Sequence, residues 1–212
     1  MDIDNQNKYW NEVAEIKTFT HPLDKTILET YLTKQSKILD FGCGYGRTVL
    51  ELSDLGFLNI VGYDTSSELV NRGKRRTNLP LFHIDNPLDL PIQNDSLDCI
   101  VLFAVLTCIP SNAGQTELLR MLYSKLKKGG IIYISDYYLQ DNSPEVNRYQ
   151  YLHDDINNFG VFYLPEGAIF RHHTKEWISE LTKKFNILIE KPIELMTMNG
   201  HRATGFQLVG QK

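Results

Sequence analysis

The chain has 212 residues, with 22 Lys and Arg against 26 Asp and Glu, for a formal net charge of −4. This length suits one domain with a full core, and ten Phe with eleven Tyr exclude disorder as the dominant state. The acidic balance argues against nucleic acid as a main partner, because phosphate binding wants a basic surface. The longest apolar run, eight residues from Cys99 to Leu106, is far short of the ~20 needed to span a membrane.

The N-terminus is acidic and polar and does not read as an export signal. Cys43, Cys99 and Cys108 are scattered and form no CxxC pair, so reduced thiols in a cytoplasmic protein are expected. The same scatter argues against a metal site.

Residues 1–36 read as a helical N-terminal cap, with Ile27, Leu28, Tyr31 and Leu32 on one apolar face. A short strand, 37–41, runs into a glycine-rich turn, and a helix is expected from Arg47 to Leu55. Leu58 to Tyr63 reads as a second strand, Glu68 to Arg75 as a helix and Leu81 to Ile84 as a third strand. Asp98 to Phe103 is apolar throughout, as for a strand covered on both faces. Gln115 to Leu126 carries Leu118, Leu119, Leu122 and Leu126 on one helical stripe. Gly129-Gly130 reads as the end of that helix, and Ile131 to Ser135 as the fifth strand.

The alternation predicts an α/β fold with a doubly wound parallel sheet, Rossmann-like, whose ligand lies at the carboxyl ends of the strands. The pattern breaks over 137–171, which is irregular and aromatic, with Tyr137, Tyr138, Tyr149, Tyr151, Phe159, Phe162, Tyr163 and Phe170. A stretch of that kind reads as a lid inserted over the site. Thr174 is a candidate N-cap for a helix reaching Leu181, with Trp177, Ile178 and Leu181 on its buried face. Phe185 to Glu190 and Thr204 to Val209 read as closing strands, with Asn199-Gly200 as a hairpin turn.

Asp40-Phe41-Gly42-Cys43-Gly44-Tyr45-Gly46-Arg47 follows a strand and opens a helix. Glycines there permit positive φ and close approach of a ligand, and the new helix presents free N–H groups. The spacing is G-x-G-x-G and not the dinucleotide G-x-G-x-x-G. Asp40 would repel a pyrophosphate but hold an ammonium group, so the loop suits a cofactor that carries an amino acid. Asp64, 22 residues past Gly42, is placed to take ribose hydroxyls, with Thr65 beside it. Capping of the next helix is the structural alternative, for Thr65 or Ser66 as well. Asp85-Asn86 follows the third strand, where a carboxylate and a backbone N–H suit adenine and where a plain polar turn is the alternative.

Taken in order, Ile38-Leu39-Asp40-Phe41-Gly42-Cys43-Gly44-Tyr45-Gly46-Arg47, Gly62-Tyr63-Asp64, Asp85-Asn86 with Leu90-Pro91, Ser96-Leu97-Asp98-Cys99-Ile100-Val101 and Leu126-Lys127-Lys128-Gly129-Gly130 resemble the class I S-adenosylmethionine-dependent methyltransferases. The likeness covers roughly 37–136. Lys128 departs from it, since the family usually has proline before the two glycines. The resemblance implies a seven-stranded sheet with an antiparallel last strand. It also implies that Asp40 and the backbone of Gly42, Cys43 and Gly44 hold the methionine part of the cofactor, S-adenosylmethionine. Asp64 would hold the ribose, Asp85 and Asn86 the adenine, and the backbone at Phe103 and Ala104 the edge near the sulfonium.

Methyl transfer from a sulfonium needs alignment above all, and a base only if the acceptor is protonated. His153, among the aromatics of the lid, is the candidate base. His172-His173 reads as a cap or a solvated turn. His201 and Arg202 follow the Asn199-Gly200 turn and are either a clamp for an anionic acceptor or an exposed tip. Tyr9-Trp10 resembles segments that close over the cofactor and also fits a packed amphipathic helix. Tyr138 and its aromatic neighbours suit an acceptor pocket or the lid's own core.

The expectation is a single domain, 1–212, that methylates a small molecule beneath the 137–171 lid as a monomer or homodimer. A non-catalytic S-adenosylmethionine-binding module is the alternative. A nicotinamide dehydrogenase is disfavoured by the loop spacing and by Asp40.

Overall fold

The computed structural model describes residues 4–140, Tyr149 and 159–212. His153 and Tyr151 of the expected lid lie outside the described residues. Helices α1 (Asn7–Glu12) and α2 (Lys25–Tyr31) precede β1 (Lys37–Phe41), α3 (Arg47–Asp54), β2 (Asn59–Asp64), α4 (Ser67–Arg76) and β3 (Leu81–His83). Then come β4 (Leu97–Phe103), α5 (Asn112–Lys125), β5 (Leu126–Tyr137), β6 (Val161–Tyr163), β7 (Ile169–Arg171), α6 (Lys175–Thr182), β8 (Asn186–Met196) and β9 (Arg202–Gln211). Seven strands form one sheet in the order β3-β2-β1-β4-β5-β9-β8. β1 to β5 are mutually parallel, and β9 runs antiparallel between β5 and β8. This is a Rossmann-like, doubly wound sheet with an antiparallel last strand.

Alternation along the central strands divides the core. Leu39, Phe41, Ile100, Leu102, Ile132, Ile134, Phe206 and Leu208 meet Leu118, Leu122 and Ile178 of α5 and α6. Ile38, Cys99, Val101, Phe103, Ile131 and Tyr133 meet Leu28, Val49, Leu52 and Val70 of α2, α3 and α4. Both faces are covered, which is why these strands read as unbroken apolar runs.

Three stretches depart from the sequence expectation. Residues 1–36 are not one helical unit: two short helices flank an extended segment before Asp24. Arg72 holds that segment's start by donating from Nη1 to the carbonyls of Ala14 and Lys17, at 2.7 and 2.8 Å. Gly129-Gly130 does not end a helix; α5 stops at Lys125 and β5 begins at Leu126. The register jumps between the Leu97–Leu126 and Cys99–Ile131 pairs, so 127–130 bulges out. The backbones of Gly129 and Gly130 then pair with the terminal Lys212. Part of the irregular 137–171 stretch is a hairpin of β6 and β7, closed by Leu164 and Ala168 with Gly167 at φ 92°. The Pro165-Glu166-Gly167 turn is the signal for it.

Thr174 is the N-cap of α6, its side chain accepting the N–H of Trp177 at 3.0 Å. Thr174→Ala is expected to cost about 1 kcal/mol of unfolding free energy, with Thr174→Ser near neutral. Equilibrium urea denaturation checks both.

Candidate active site

The crevice lies where β1 and β4 are neighbours and their connections leave on opposite sides of the sheet. Such a switch point is where an open α/β sheet takes its ligand. A cavity of 560 Å³ opens there, within the ~300–1,000 Å³ usual for small-molecule sites.

The loop after β1 forms one wall. Gly42 and Cys43 both donate their N–H to the carbonyl of Tyr63, at 2.8 and 3.1 Å, which turns the chain across the end of β2. Gly42 is at φ 73° with the side chain of Val105 packed against it, 2.4 Å from where a Cβ would stand. Gly44 is at φ 55° beneath the ring of Phe19, which a Cβ would meet at 2.1 Å. These two glycines are required both by their backbone angle and by their neighbours.

Asp40, at the end of β1, is only 2% exposed. Its Oδ2 has no hydrogen-bond partner. Burial pushes its carboxyl up to about 7, against the opposing pull of Arg47. A buried carboxylate oxygen left unpaired beside a cavity is a site waiting for a cationic donor. Asp64 is tied down instead: Oδ2 accepts the N–H of Gly44 and Oδ1 that of Ser66, each at 2.7 Å. Burial raises its pKa, and those backbone donors oppose the rise. Asp64, with Thr65, still faces the cavity. Phe103 and Ala104 line it at the end of β4, with Ala104 at φ 53°.

The other expected residues scatter. Asp85 has a side chain 99% exposed. Asn86 caps the short turn Pro87–Asp89 by accepting the N–H of Leu88. Trp10 lines the cavity, stacked on Phe170 at 6.0 Å between centroids. Tyr9 is buried behind it in the same aromatic cluster. His201 and Arg202 are exposed residues on the cavity rim. Tyr138 does not line the cavity; its ring packs on Phe206 and its hydroxyl donates to Glu190 at 3.0 Å.

His172-His173 is neither a cap nor a solvated turn. Both residues are buried. His172 lines the cavity and pairs with the Tyr149 hydroxyl. His173 bonds the Tyr137 carbonyl and Gln115, and burial pushes its pKa down to about 3.

Sequence reasoning missed a wall made by Phe19, Thr20 and His21. Phe19 stacks on Tyr45 at 5.1 Å with an interplanar angle of 11°, and its N–H donates to the Tyr45 hydroxyl. The guanidinium of Arg72 covers the Tyr45 ring at 4.1 Å. The segment is extended, so no period in the sequence marks it.

A protein-family model described as a methyltransferase domain matches residues 14–186. The ubiquinone/menaquinone biosynthesis C-methyltransferase UbiE of Campylobacter jejuni is 26% identical over 160 residues, which cover 63% of this chain and 68% of that one. The carboxy-S-adenosyl-L-methionine synthase of Glaesserella parasuis is 28% identical over 125 residues, 53% of this chain and 50% of its own. Among solved structures, an S-adenosylmethionine-dependent methyltransferase from Methanosarcina mazei superposes with a TM-score of 0.81 at 25% identity, over 90% of this chain and 98% of that one. The chain belongs to the methyltransferase domain family, and its fold is that of the class I S-adenosylmethionine-dependent enzymes.

The raised carboxyl of Asp40 links the site to stability. Its folded pKa of about 7 lies above the unfolded value of 3.8, so the folded chain holds a proton that the unfolded chain has lost. Stability therefore falls as the pH rises from about 4 to 7, by at most ~1.4 kcal/mol per unit from this group, and levels off above. Asp40→Asn, which never ionises, should be more stable than the wild type without ligand. That advantage should grow between pH 5 and 7 and then become constant, as read by chemical denaturation across the pH series.

Proposed function

We propose that this methyltransferase transfers a methyl group to a small-molecule acceptor held in the outer, aromatic half of the cavity. The observation that carries this reading is the unpaired, buried Oδ2 of Asp40 on a roomy cavity that the positive-φ Gly42 also lines. The cofactor is S-adenosylmethionine, which supplies an electrophilic methyl on a good leaving group.

Asp40 takes the ammonium of the cofactor's amino-acid part, and the Gly42–Gly44 backbone lies against the same end. Asp64 takes the ribose hydroxyls while keeping the loop closed through Gly44, with Thr65 alongside. Asp85 and Asn86 frame the adenine end, and Phe103 and Ala104 flank the reacting centre. Trp10 closes the cavity from the N-terminal side, with Tyr9 behind it. His201 and Arg202 guard the rim, where they would meet an anionic group on the acceptor. The chain works as one domain, with the N-terminal segment as a cap and the β6–β7 hairpin as a cover over the acceptor. Its action is cytoplasmic, as monomer or homodimer. No helix among the described residues is long and apolar enough to cross a membrane.

Catalysis on this reading is positional. Aligning the acceptor with the methyl can supply ~7–11 kcal/mol of the barrier without a dedicated acid.

Calorimetric titration with S-adenosylhomocysteine tests the cofactor half. Wild type should bind in the micromolar range, and Asp40→Asn should bind ~10–100-fold more weakly, the scale of one charge-assisted hydrogen bond. Equal affinity in the two proteins would remove Asp40 from the site. Radiolabelled methyl transfer to a metabolite panel tests the acceptor half.

A further inference from the structure

His21 is 3% exposed and lies on the extended segment between α1 and α2. Its ring meets that of Tyr137 edge-on, 4.6 Å between centroids, at the end of β5. His21 lines the cavity, and its Nε2 is buried with no hydrogen-bond partner. Its backbone is fixed independently, because the His21 carbonyl accepts from Arg47 Nη2 at 2.6 Å. Burial, with the charge of Arg47, pushes the imidazole down to about 3. The ring is therefore neutral at ordinary pH and offers a lone pair.

A second orphaned polar atom lies on the same cavity. The hydroxyl of Thr107 is also buried there without a partner. Buried polar atoms of this kind are normally paired, so two of them on one cavity mark where a ligand's polar atoms belong. Trp10, Phe162 and Phe170 give the same cavity flat aromatic surfaces.

We propose that His21 is a catalytic residue that accepts the proton of the methyl acceptor, and that the acceptor is a planar aromatic carrying a hydroxyl or ring N–H at the methylated atom. The proposal rests on the methyl-transfer reading above. In the tautomer with its proton on Nδ1, His21 accepts a hydrogen bond from that O–H or N–H at Nε2. The acceptor's lone pair forms the new bond to the methyl carbon as the carbon–sulfur bond breaks and its electron pair returns to sulfur. The acceptor's proton passes to Nε2, and its bonding pair stays on the acceptor atom. The cavity holds one positive charge before, on the sulfonium, and one after, on the imidazolium, so the step creates no net charge in a buried site. Release of the proton to water resets the ring.

The probes are 2-naphthol with 2-methoxynaphthalene, and benzimidazole with 1-methylbenzimidazole, each titrated into protein saturated with S-adenosylhomocysteine. The members of a pair differ only in whether the donor hydrogen is present. Wild type should favour the donor-bearing member of at least one pair by ~tenfold or more, the scale of one buried hydrogen bond, and which pair responds separates hydroxyl from ring N–H acceptors. His21→Phe should bind S-adenosylhomocysteine as the wild type does and lose the preference. His21→Gln keeps an acceptor atom without a useful base. It should retain the preference but form the methylated product from S-adenosylmethionine ~100-fold more slowly or worse.

A preference unchanged in His21→Phe, no preference in the wild type, or product formation by His21→Gln at the wild-type rate each overturns the assignment of His21. Loss of S-adenosylhomocysteine binding by the wild type itself would overturn the cofactor reading instead, and is scored separately.

Discussion

The site depends on how the chain turns at the end of β1. Two successive N–H groups, from Gly42 and Cys43, converge on the carbonyl of Tyr63, and a third, from Gly44, goes to the carboxylate of Asp64. These bonds tie the ends of β1 and β2 together before α3 begins. Left-handed backbone at Gly42, Gly44 and Gly46 is what permits the turn. Its result is a tight backbone turn beside Asp40, on which Val105 and Phe19 pack where a Cβ would stand. Asp64 thereby has two duties: it holds the loop and it faces the cavity. A carboxylate has lone pairs for both.

Asp40 shows the cost of preparing such a site. A carboxyl group nearly free of water, with one oxygen unpaired, opposes folding whenever it is charged. The apolar layers on both faces of the sheet outweigh that cost. Arg47 moderates it from the first turn of α3, where its guanidinium is shared between Glu51 and the His21 carbonyl.

Walls of the cavity come from segments far apart in the chain. The N-terminal segment is held by a stack of Arg72, Tyr45 and Phe19 that joins α4, the glycine loop and residue 19. Lys17 reaches Glu166 in the β6–β7 turn and Asn199 in the β8–β9 turn, at 3.2 and 2.8 Å. Gln6 bonds the backbone of Ile169 and the carbonyl of Cys108. Each link is exposed or half-buried and modest in energy. Together they set the shape of the opening.

The sequence by itself determined the sheet and the glycine loop. Unbroken apolar strands such as Cys99–Phe103, the spacing of Gly42, Gly44 and Gly46, and acidic residues at strand ends are local signals, because period and backbone angle are properties of adjacent residues. The cap of α6 at Thr174 was legible for the same reason. What only the tertiary structure decided is which other residues reach the cavity. His172 and His173 sit side by side in sequence, yet one lines the cavity and the other is locked to Gln115 behind β5. Tyr138 follows Tyr137 and faces away, because adjacent residues at a strand end point to opposite sides. His21 belongs to an extended stretch without period, and only its contacts with Tyr137 and Arg47 bring it to the cavity. Such positions are set by long-range contacts, which leave no repeating mark on the residues nearby.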